Sequence, residues 1–221
     1  YGDHRDLHVR SRRQRQMCIR DRFLPIIGFL GWALSGGPTT PAGDMVGGYG
    51  AYATELVGIS TSQFHILLGV AAIAFGLMTA CFLALRAKVL ENGKSQFAYL
   101  SGFLMIIGMA ATVGENASVS AAASLANEGL VPEAVSMLTL GTTVGGYGTA
   151  ILALGIGFLG FSMYQNKTIH VISSSAFMLV GIYGLIGSIL FFDQGLIGVY
   201  YISLVATTVA TGVELVRTGK G

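Results

Sequence analysis

The segment Val171–Phe192 reads VISSSAFMLVGIYGLIGSILFF and contains no charged residue. A transmembrane helix needs about 20 predominantly apolar residues to cross a hydrocarbon core about 30 Å thick, and this segment meets that requirement. The segment Phe97–Val113 is likewise free of charged residues. Together these two stretches predict that the chain crosses a membrane more than once.

The composition of the whole chain agrees with this prediction. Of its 221 residues, 52% are hydrophobic and only 11% are charged, and the mean hydropathy is +0.66. A soluble domain carries about 25% charged residues. The 32 glycines point in the same direction, because small residues let membrane helices approach each other closely. We therefore expect the lipid bilayer to be the main partner of this chain and nucleic acid not to be one.

Six apolar segments predict an all-α fold, a polytopic bundle of about six transmembrane helices. They are Phe23–Gly36, Gln63–Leu85, Phe97–Val113, Met137–Tyr164, Ile169–Phe192 and Leu196–Val216. The first is short, since its helical rise would be roughly 21 Å against a core of about 30 Å. We expect this first helix to be truncated and residues 23–221 to form a single integral membrane domain.

The basic residues predict the orientation of the bundle. After residue 22 they fall between the second and third segments, between the fourth and fifth, and after the sixth: Arg86, Lys88, Lys94, Lys167, Arg217 and Lys220. The other connections carry acidic residues and no Lys or Arg. Short loops rich in Lys and Arg stay in the cytoplasm, so both termini should be cytoplasmic. The expected location is a prokaryotic inner or plasma membrane.

The first 22 residues differ abruptly from the rest. Tyr1–Arg22 holds seven of the 13 basic residues, and its stretch RRQRQMCIRDR, residues 12–22, resembles translated sequencing-adapter read-through. The alternatives are a polybasic cytoplasmic tail or a targeting peptide, although the apolar residues that follow a twin-arginine motif are missing. We expect this segment to be non-native. Without it, Cys81 is the only cysteine, so no disulfide is expected within one chain.

Two connections on the predicted outer side carry the candidate functional residues. Met45–Ile59 is apolar but short for a span, which favours an interfacial or re-entrant helix; it contains Tyr49, Tyr52 and Glu55. Gly114–Glu133 should extend the third helix beyond the membrane and break at Gly129 and Pro132. Glu115 lies at the start of that extension.

These carboxylates predict a polar pathway. The outer connections contain no Lys or Arg, so buried Glu55 and Glu115 would need a bound cation or proton to avoid an unpaired charge. The hydroxyl groups of Tyr49, Tyr52 and Tyr147 could share that cation or proton. The alternative for Glu115 is a helix end exposed to water.

No catalytic residue, cofactor site or metal site is predicted. His65 and His170 would lie at opposite ends of their helices, roughly 30 Å apart across the bilayer, too far to share a haem. The sequence lacks a G-x-S-x-G elbow, a phosphate-binding loop with its Lys and an H-E-x-x-H motif. No Lys lies within a predicted span, which excludes a retinal Schiff base. The protein is therefore expected not to be an enzyme.

Glycine spacing predicts where helices pack. Gly141 and Gly145 lie four residues apart, and Gly181, Gly184 and Gly187 form a stripe on one helix face. Such stripes permit close crossing within one chain, in a homo-oligomer or against partner helices. The pentamer VGGYG occurs at 46–50 and again at 144–148, which indicates either an internal duplication or chance in a glycine-rich chain.

Three classes of function follow from these patterns. A small-solute, ion or proton transporter would use the outer carboxylates as an entrance. A non-catalytic membrane subunit or scaffold would use the glycine stripes to bind partner helices. A membrane redox subunit would need a ligand constellation that the sequence does not display. The sequence favours the transporter over the scaffold, and an interior cavity at the carboxylates would distinguish the two.

Overall fold

The computed structural model describes residues 26–27, 30–31, 34–35, 38, 40–93 and 95–217. Within these residues the chain contains no strand; residues 26–27 and 30–31 are helical, and from residue 40 onward the chain forms a 3-10 turn, Ala42–Asp44, and six α-helices. The helices are α1 (Gly48–Glu55), α2 (Thr61–Asn92), α3 (Gln96–Asn127), α4 (Val131–Gln165), α5 (Val171–Leu190) and α6 (Ile197–Arg217). The predicted all-helical class is confirmed for this part of the chain.

Five of these helices, α2 to α6, are long and apolar enough to cross a membrane. They correspond to the second to sixth predicted spans. The first predicted span, Phe23–Gly36, lies mostly outside the described residues, as does all of Tyr1–Arg22. Among its described residues, Gly31 is helical and packs against the backbone of α2, where an added β-carbon would lie 3.1 Å from the carbonyl oxygen of Leu67.

Helix length divides the bundle into two levels. The helices α2 and α3 have 32 residues each and α4 has 35, which gives rises of about 48–52 Å. The helix α5 has 20 residues and rises about 30 Å. Phe192, just after α5, contacts Gly146, well inside α4. The helices α2, α3 and α4 therefore project beyond α5 and α6 at the end that carries α1, which we call the α1 end.

Each level has its own apolar core. The larger cluster lies among the membrane-length helices and includes Phe82, Met105, Ile156, Phe177 and Tyr200. The smaller cluster joins α1 to the projecting parts of α2, α3 and α4: Ala53, Leu56, Phe64, Leu68, Ala122, Ala123, Ala126, Ala134 and Leu138. Burial of Ala53 and Leu56 in this second core fixes α1 on the bundle.

The turn between α3 and α4 follows the predicted break. The helix α3 ends at Asn127, Gly129 adopts a left-handed φ of 82°, and Pro132 lies in the first turn of α4. Proline is tolerated there because the first-turn N–H groups have no intrahelical partner. The Asn127 side chain also accepts a hydrogen bond from the Gly58 N–H at 2.9 Å, which ties the loop after α1 to the end of α3.

At the opposite end of the bundle, a carboxylate links α6 to the start of α5. Glu214 of α6 accepts hydrogen bonds from the His170 N–H, at 2.5 Å, and from the Ser173 hydroxyl group. Both donors belong to the start of α5, where backbone N–H groups lack intrahelical acceptors. A negative charge is favourable at this position, so Glu214 fixes α6 to the first turn of α5.

Candidate functional site: a carboxylate-bearing cavity at the α1 end

A cavity of about 380 Å³ lies where α1, the segment before it and the α5–α6 loop meet α2, α3, α4 and α6. Its described polar lining consists of Tyr49, Tyr52, Thr112, Glu115, Asn116, Thr142, Thr149, Asp193, Gln194 and Tyr201. Leu68, Phe75, Met78, Met109, Leu138 and Leu152 supply much of the apolar lining. Cavities of this size hold small-molecule ligands in many proteins.

Glu115 reaches the cavity from α3 because α4 presents a glycine opposite it. A β-carbon added at Gly145 would overlap the carboxyl group of Glu115, and one added at Gly141 would lie 2.8 Å from Cβ of Ser118. The predicted packing glycines Gly141 and Gly145 therefore lie at the α3–α4 interface, and one of them makes room for an acidic side chain.

The carboxyl group of Glu115 has no partner within the described part of the chain. No hydrogen bond or salt bridge reaches it from these residues, and the half-buried side chain lines a mostly apolar part of the cavity. An ionised carboxylate that is removed from water without a partner is unstable by several kcal/mol. A proton or a bound cation at Glu115 would remove that cost.

Tyr49 and Tyr52 bring two phenol groups from α1 to the same cavity. Two glycines in left-handed conformations start this helix: Gly47 has φ 101° and Gly48 has φ 56°. Burial raises the pKa of Tyr52 to about 12, and the nearby charges of Glu115 and Glu55 act in the same direction. Its hydroxyl group therefore remains protonated at neutral pH.

Tyr49 lies near both carboxylates of the cavity, Asp193 and Glu115. Burial is the main cause of the raised pKa of Tyr49; a hydrogen bond with Thr142 opposes this effect, while Asp193 and Glu115 add to it. Tyr49 is thus close enough to both acids to respond to their charge. Its neutral hydroxyl group can donate to an oxygen or accept from a bound cationic group.

Asp193 enters the lining because the α5–α6 loop is docked onto the segment before α1. The Gly43 N–H donates to the carbonyl oxygen of Asp193 at 2.9 Å, and the Gly195 N–H donates to Oδ2 of Asp44 at 2.6 Å. A β-carbon at Gly43 would lie 2.7 Å from Cγ of Asp193, so only glycine allows this approach. Sequence reasoning assigned Asp193 no site role, because this contact depends on two loops far apart in the chain.

Tyr201 and Thr149 complete the polar lining on the α6 side and were not identified from the sequence. Their hydroxyl groups are 3.2 Å apart and hydrogen-bonded. The Tyr201 ring also contacts Phe75, with ring centroids 6.3 Å apart. Because Tyr201 lies in an apolar helix, its pattern in the sequence does not distinguish a cavity residue from one that faces lipid.

Two of the predicted pathway residues lie outside the lining. Glu55 is exposed at the end of α1, and the Tyr147 side chain is 66% exposed on α4. Tyr49 and Tyr147 occupy the same position in the two copies of VGGYG, but the copies have different conformations. The first forms the left-handed start of α1, whereas the second is regular helix within α4. The identical pentamers therefore occupy unlike structural positions.

The glycine stripe on α5 lies against two neighbouring helices. A β-carbon at Gly181 would lie 2.5 Å from Cα of Gly157 on α4, and one at Gly184 would overlap the ring of Tyr200 on α6. Gly187 approaches Phe191, which would be 3.1 Å from an added β-carbon. These three glycines thus serve contacts within the chain and lie apart from the cavity.

The described residues contain no cluster of three or more His, Cys, Asp or Glu side chains that could hold a metal ion. His65 lies near the start of α2, where its Nε2 is 3.0 Å from the carbonyl oxygen of Ser120. His170 lies at the opposite end of the bundle, where its Nδ1 accepts from the Ile172 N–H at 3.3 Å. The two imidazoles are engaged in separate contacts at opposite ends.

Comparison with known proteins finds no matching family model, no similar curated protein and no similar solved structure.

Proposed function

We propose that this protein is a membrane transporter for a cation, a proton or a small positively charged solute, and that Glu115 is its main binding group. The observation that carries the proposal is the Glu115 carboxyl group in the wall of a 380 Å³ cavity, where the described residues give it no hydrogen-bond or ion-pair partner. Four of the helices that line this cavity, α2, α3, α4 and α6, are long and apolar enough to cross a membrane. Glu115 faces Gly145, next to the Gly146 that contacts Phe192 at the end of α5, so it lies near one end of the membrane-length part of the bundle. Carboxyl groups inside membrane bundles commonly mark ion and proton pathways.

The charge of the lining supports a cationic rather than an anionic substrate. Its described residues include two acids, Glu115 and Asp193, and no Lys, Arg or His. An anion entering this cavity would meet two like charges, whereas a cation would replace the missing partner of Glu115. The orientation predicted by the basic residues would place the cavity on the outer half of the membrane.

A panel of concentration jumps on reconstituted vesicles tests the proposal. Proteoliposomes of the full chain on a solid-supported membrane would receive jumps of H⁺, Na⁺, K⁺ and a small organic ammonium ion. We expect at least one of these cations to evoke a current that Glu115→Gln abolishes. Glu128→Gln, which removes an exposed carboxylate next to the end of α3, is the matched control and should keep the current. If no cation in the panel gives a current that depends on Glu115, the transport proposal fails.

A non-catalytic membrane subunit or scaffold is the second candidate, and one observation favours it. Only 17% of the most apolar stretch of α6 is buried against the described chain, compared with 61% of the most apolar stretch of α4. A helix with so much free apolar surface can bind lipid or a partner helix. This candidate predicts that Glu115→Gln leaves every activity unchanged and that substitutions on the free face of α6 disrupt a complex.

A further inference from the structure

The aromatic rings in the cavity lining narrow the class of substrate further than the negative charge of the lining does. Five aromatic rings contribute to the wall: Tyr49, Tyr52, Phe75, Phe192 and Tyr201. They come from α1, α2, the α5–α6 loop and α6, so they surround the space from several sides. The face of an aromatic ring attracts a cation, and this attraction is strongest where water is excluded.

The size of the cavity argues against a bare metal ion as the occupant. A volume of about 380 Å³ is roughly twelve times the space of one water molecule in the liquid. Mg²⁺ and Ca²⁺ require about six or more oxygen ligands at short distance and favour several carboxylates, whereas the described residues contain no group of three or more His, Cys, Asp or Glu side chains that could hold a metal ion. The cavity offers one unpartnered carboxyl group, a second acid and a mostly apolar wall.

We propose that this cavity binds a small organic monocation, an amine or quaternary ammonium group on an apolar body. This inference rests on the proposed function, since it names the substrate class of the same site. The positive charge lies at Glu115, where it supplies the partner that the described residues do not provide. The apolar body lies among the aromatic rings, with Phe75 and Tyr201 on one side. Asp193, close to Tyr49 in the docked loop, adds a second negative charge.

A bound organic cation would account for the combination of a carboxylate and aromatic rings in one cavity. A carboxylate in an apolar cavity is costly, and an aromatic cavity without a charge would select neutral apolar molecules. Together they discriminate between a cation and a neutral molecule of the same shape, because only the cation gains both the carboxylate and the ring faces. The neutral molecule would leave the Glu115 carboxyl group unpaired.

Equilibrium binding to the full chain in lipid nanodiscs tests the substrate class independently of transport. The probe is choline, and its neutral isostere is 3,3-dimethylbutan-1-ol, in which a carbon atom replaces the nitrogen. Isothermal titration calorimetry should show choline binding at least about tenfold more tightly than the isostere. Glu115→Gln should weaken choline binding by about tenfold or more, while Glu128→Gln should leave it unchanged.

A second variant measures how much an aromatic ring contributes to choline affinity in a protein that still folds. Phe75→Leu keeps an apolar side chain of similar size and should weaken choline binding several-fold while affecting the isostere less. Equal affinities for choline and the isostere, or no choline binding by a folded wild-type protein, would overturn the inference. If choline fails while an H⁺, Na⁺ or K⁺ current still depends on Glu115, the substrate class is wrong and the transport function stands.

Discussion

The carboxyl group of Glu115 on α3 occupies the space over Gly145 of α4 that a β-carbon would otherwise fill. This relationship couples the packing of two long helices to the position of the one acidic side chain that reaches the cavity from α3. A side chain at Gly145 would force Glu115 to move or the two helices to separate. The geometry of the candidate site therefore depends on a residue that has no functional group.

Gly145→Ala should destabilise the protein and displace Glu115. Overpacking of a close contact costs about 1–3 kcal/mol, and we expect a loss at the lower end of that range in the free energy of unfolding, because the atoms that the added β-carbon meets belong to the flexible Glu115 side chain. Equilibrium unfolding in mixed SDS micelles, followed by circular dichroism, measures it. Gly76→Ala in α2 is the matched control, since no atom of the described residues lies within 4 Å of its added β-carbon; it should be neutral or stabilise the protein by about 0.5–1 kcal/mol. Equal effects of the two substitutions would refute the close contact.

The orientation inferred from the basic residues predicts opposite labelling at two exposed positions. In a background without Cys18 and Cys81, Asn92→Cys at the end of α2 should react with a membrane-impermeant maleimide only from the cytoplasmic side. Glu128→Cys, just after α3, should react only from the outside. The helix α3 separates these positions by a rise of about 48 Å. Reaction of both cysteines from the same face would contradict the membrane topology.

Alkaline pH should lower the stability of the folded protein through ionisation of Tyr52. The folded-state pKa of Tyr52 is raised by burial to about 12, above the ordinary value of 10.0. A raised pKa favours the folded state fully below pH 10 and progressively less as the pH rises from 10 to 12. Relative to Tyr52→Phe, the wild type should therefore lose thermal stability between pH 9 and pH 12. Tyr147→Phe, which removes a hydroxyl group from an exposed side chain, controls for the loss of one phenol.

If the difference in melting temperature between the wild type and Tyr52→Phe is the same at pH 9 and pH 12, the hydroxyl group of Tyr52 is not buried in the cavity wall. That result would remove α1 from the site and leave Glu115 facing a more open space.

The sequence predicts the long helices well because a membrane imposes a simple requirement on length and polarity. It also predicts the break at Gly129 and Pro132, since both residues act locally. It cannot show which face of α1 points inward, because eight residues rich in glycine and alanine carry little amphipathic signal. The sequence therefore could not show that Tyr52 lines the cavity and that Glu55 does not.

The remaining site residues depend on contacts between distant segments. Asp193 lines the cavity because Gly43 and Asp44 bind the α5–α6 loop, and no pattern near residue 193 encodes that contact. Tyr49 and Tyr147 occupy identical pentamers, but the preceding segment folds into a turn in one case and continues as a helix in the other. Local sequence is insufficient at such positions, because tertiary packing decides the conformation.

The most direct test of the central claim is the reaction of Glu115 with dicyclohexylcarbodiimide, an apolar reagent that modifies protonated carboxyl groups. Mass spectrometry of the digested protein locates and quantifies the adduct with and without a candidate cation. We predict that Glu115 is the main modified carboxyl group and that a bound cation slows its modification, while Glu128 reacts little under either condition. A Glu115 that remains unmodified, or that reacts at the same rate whatever cation is present, would contradict a binding role for this side chain.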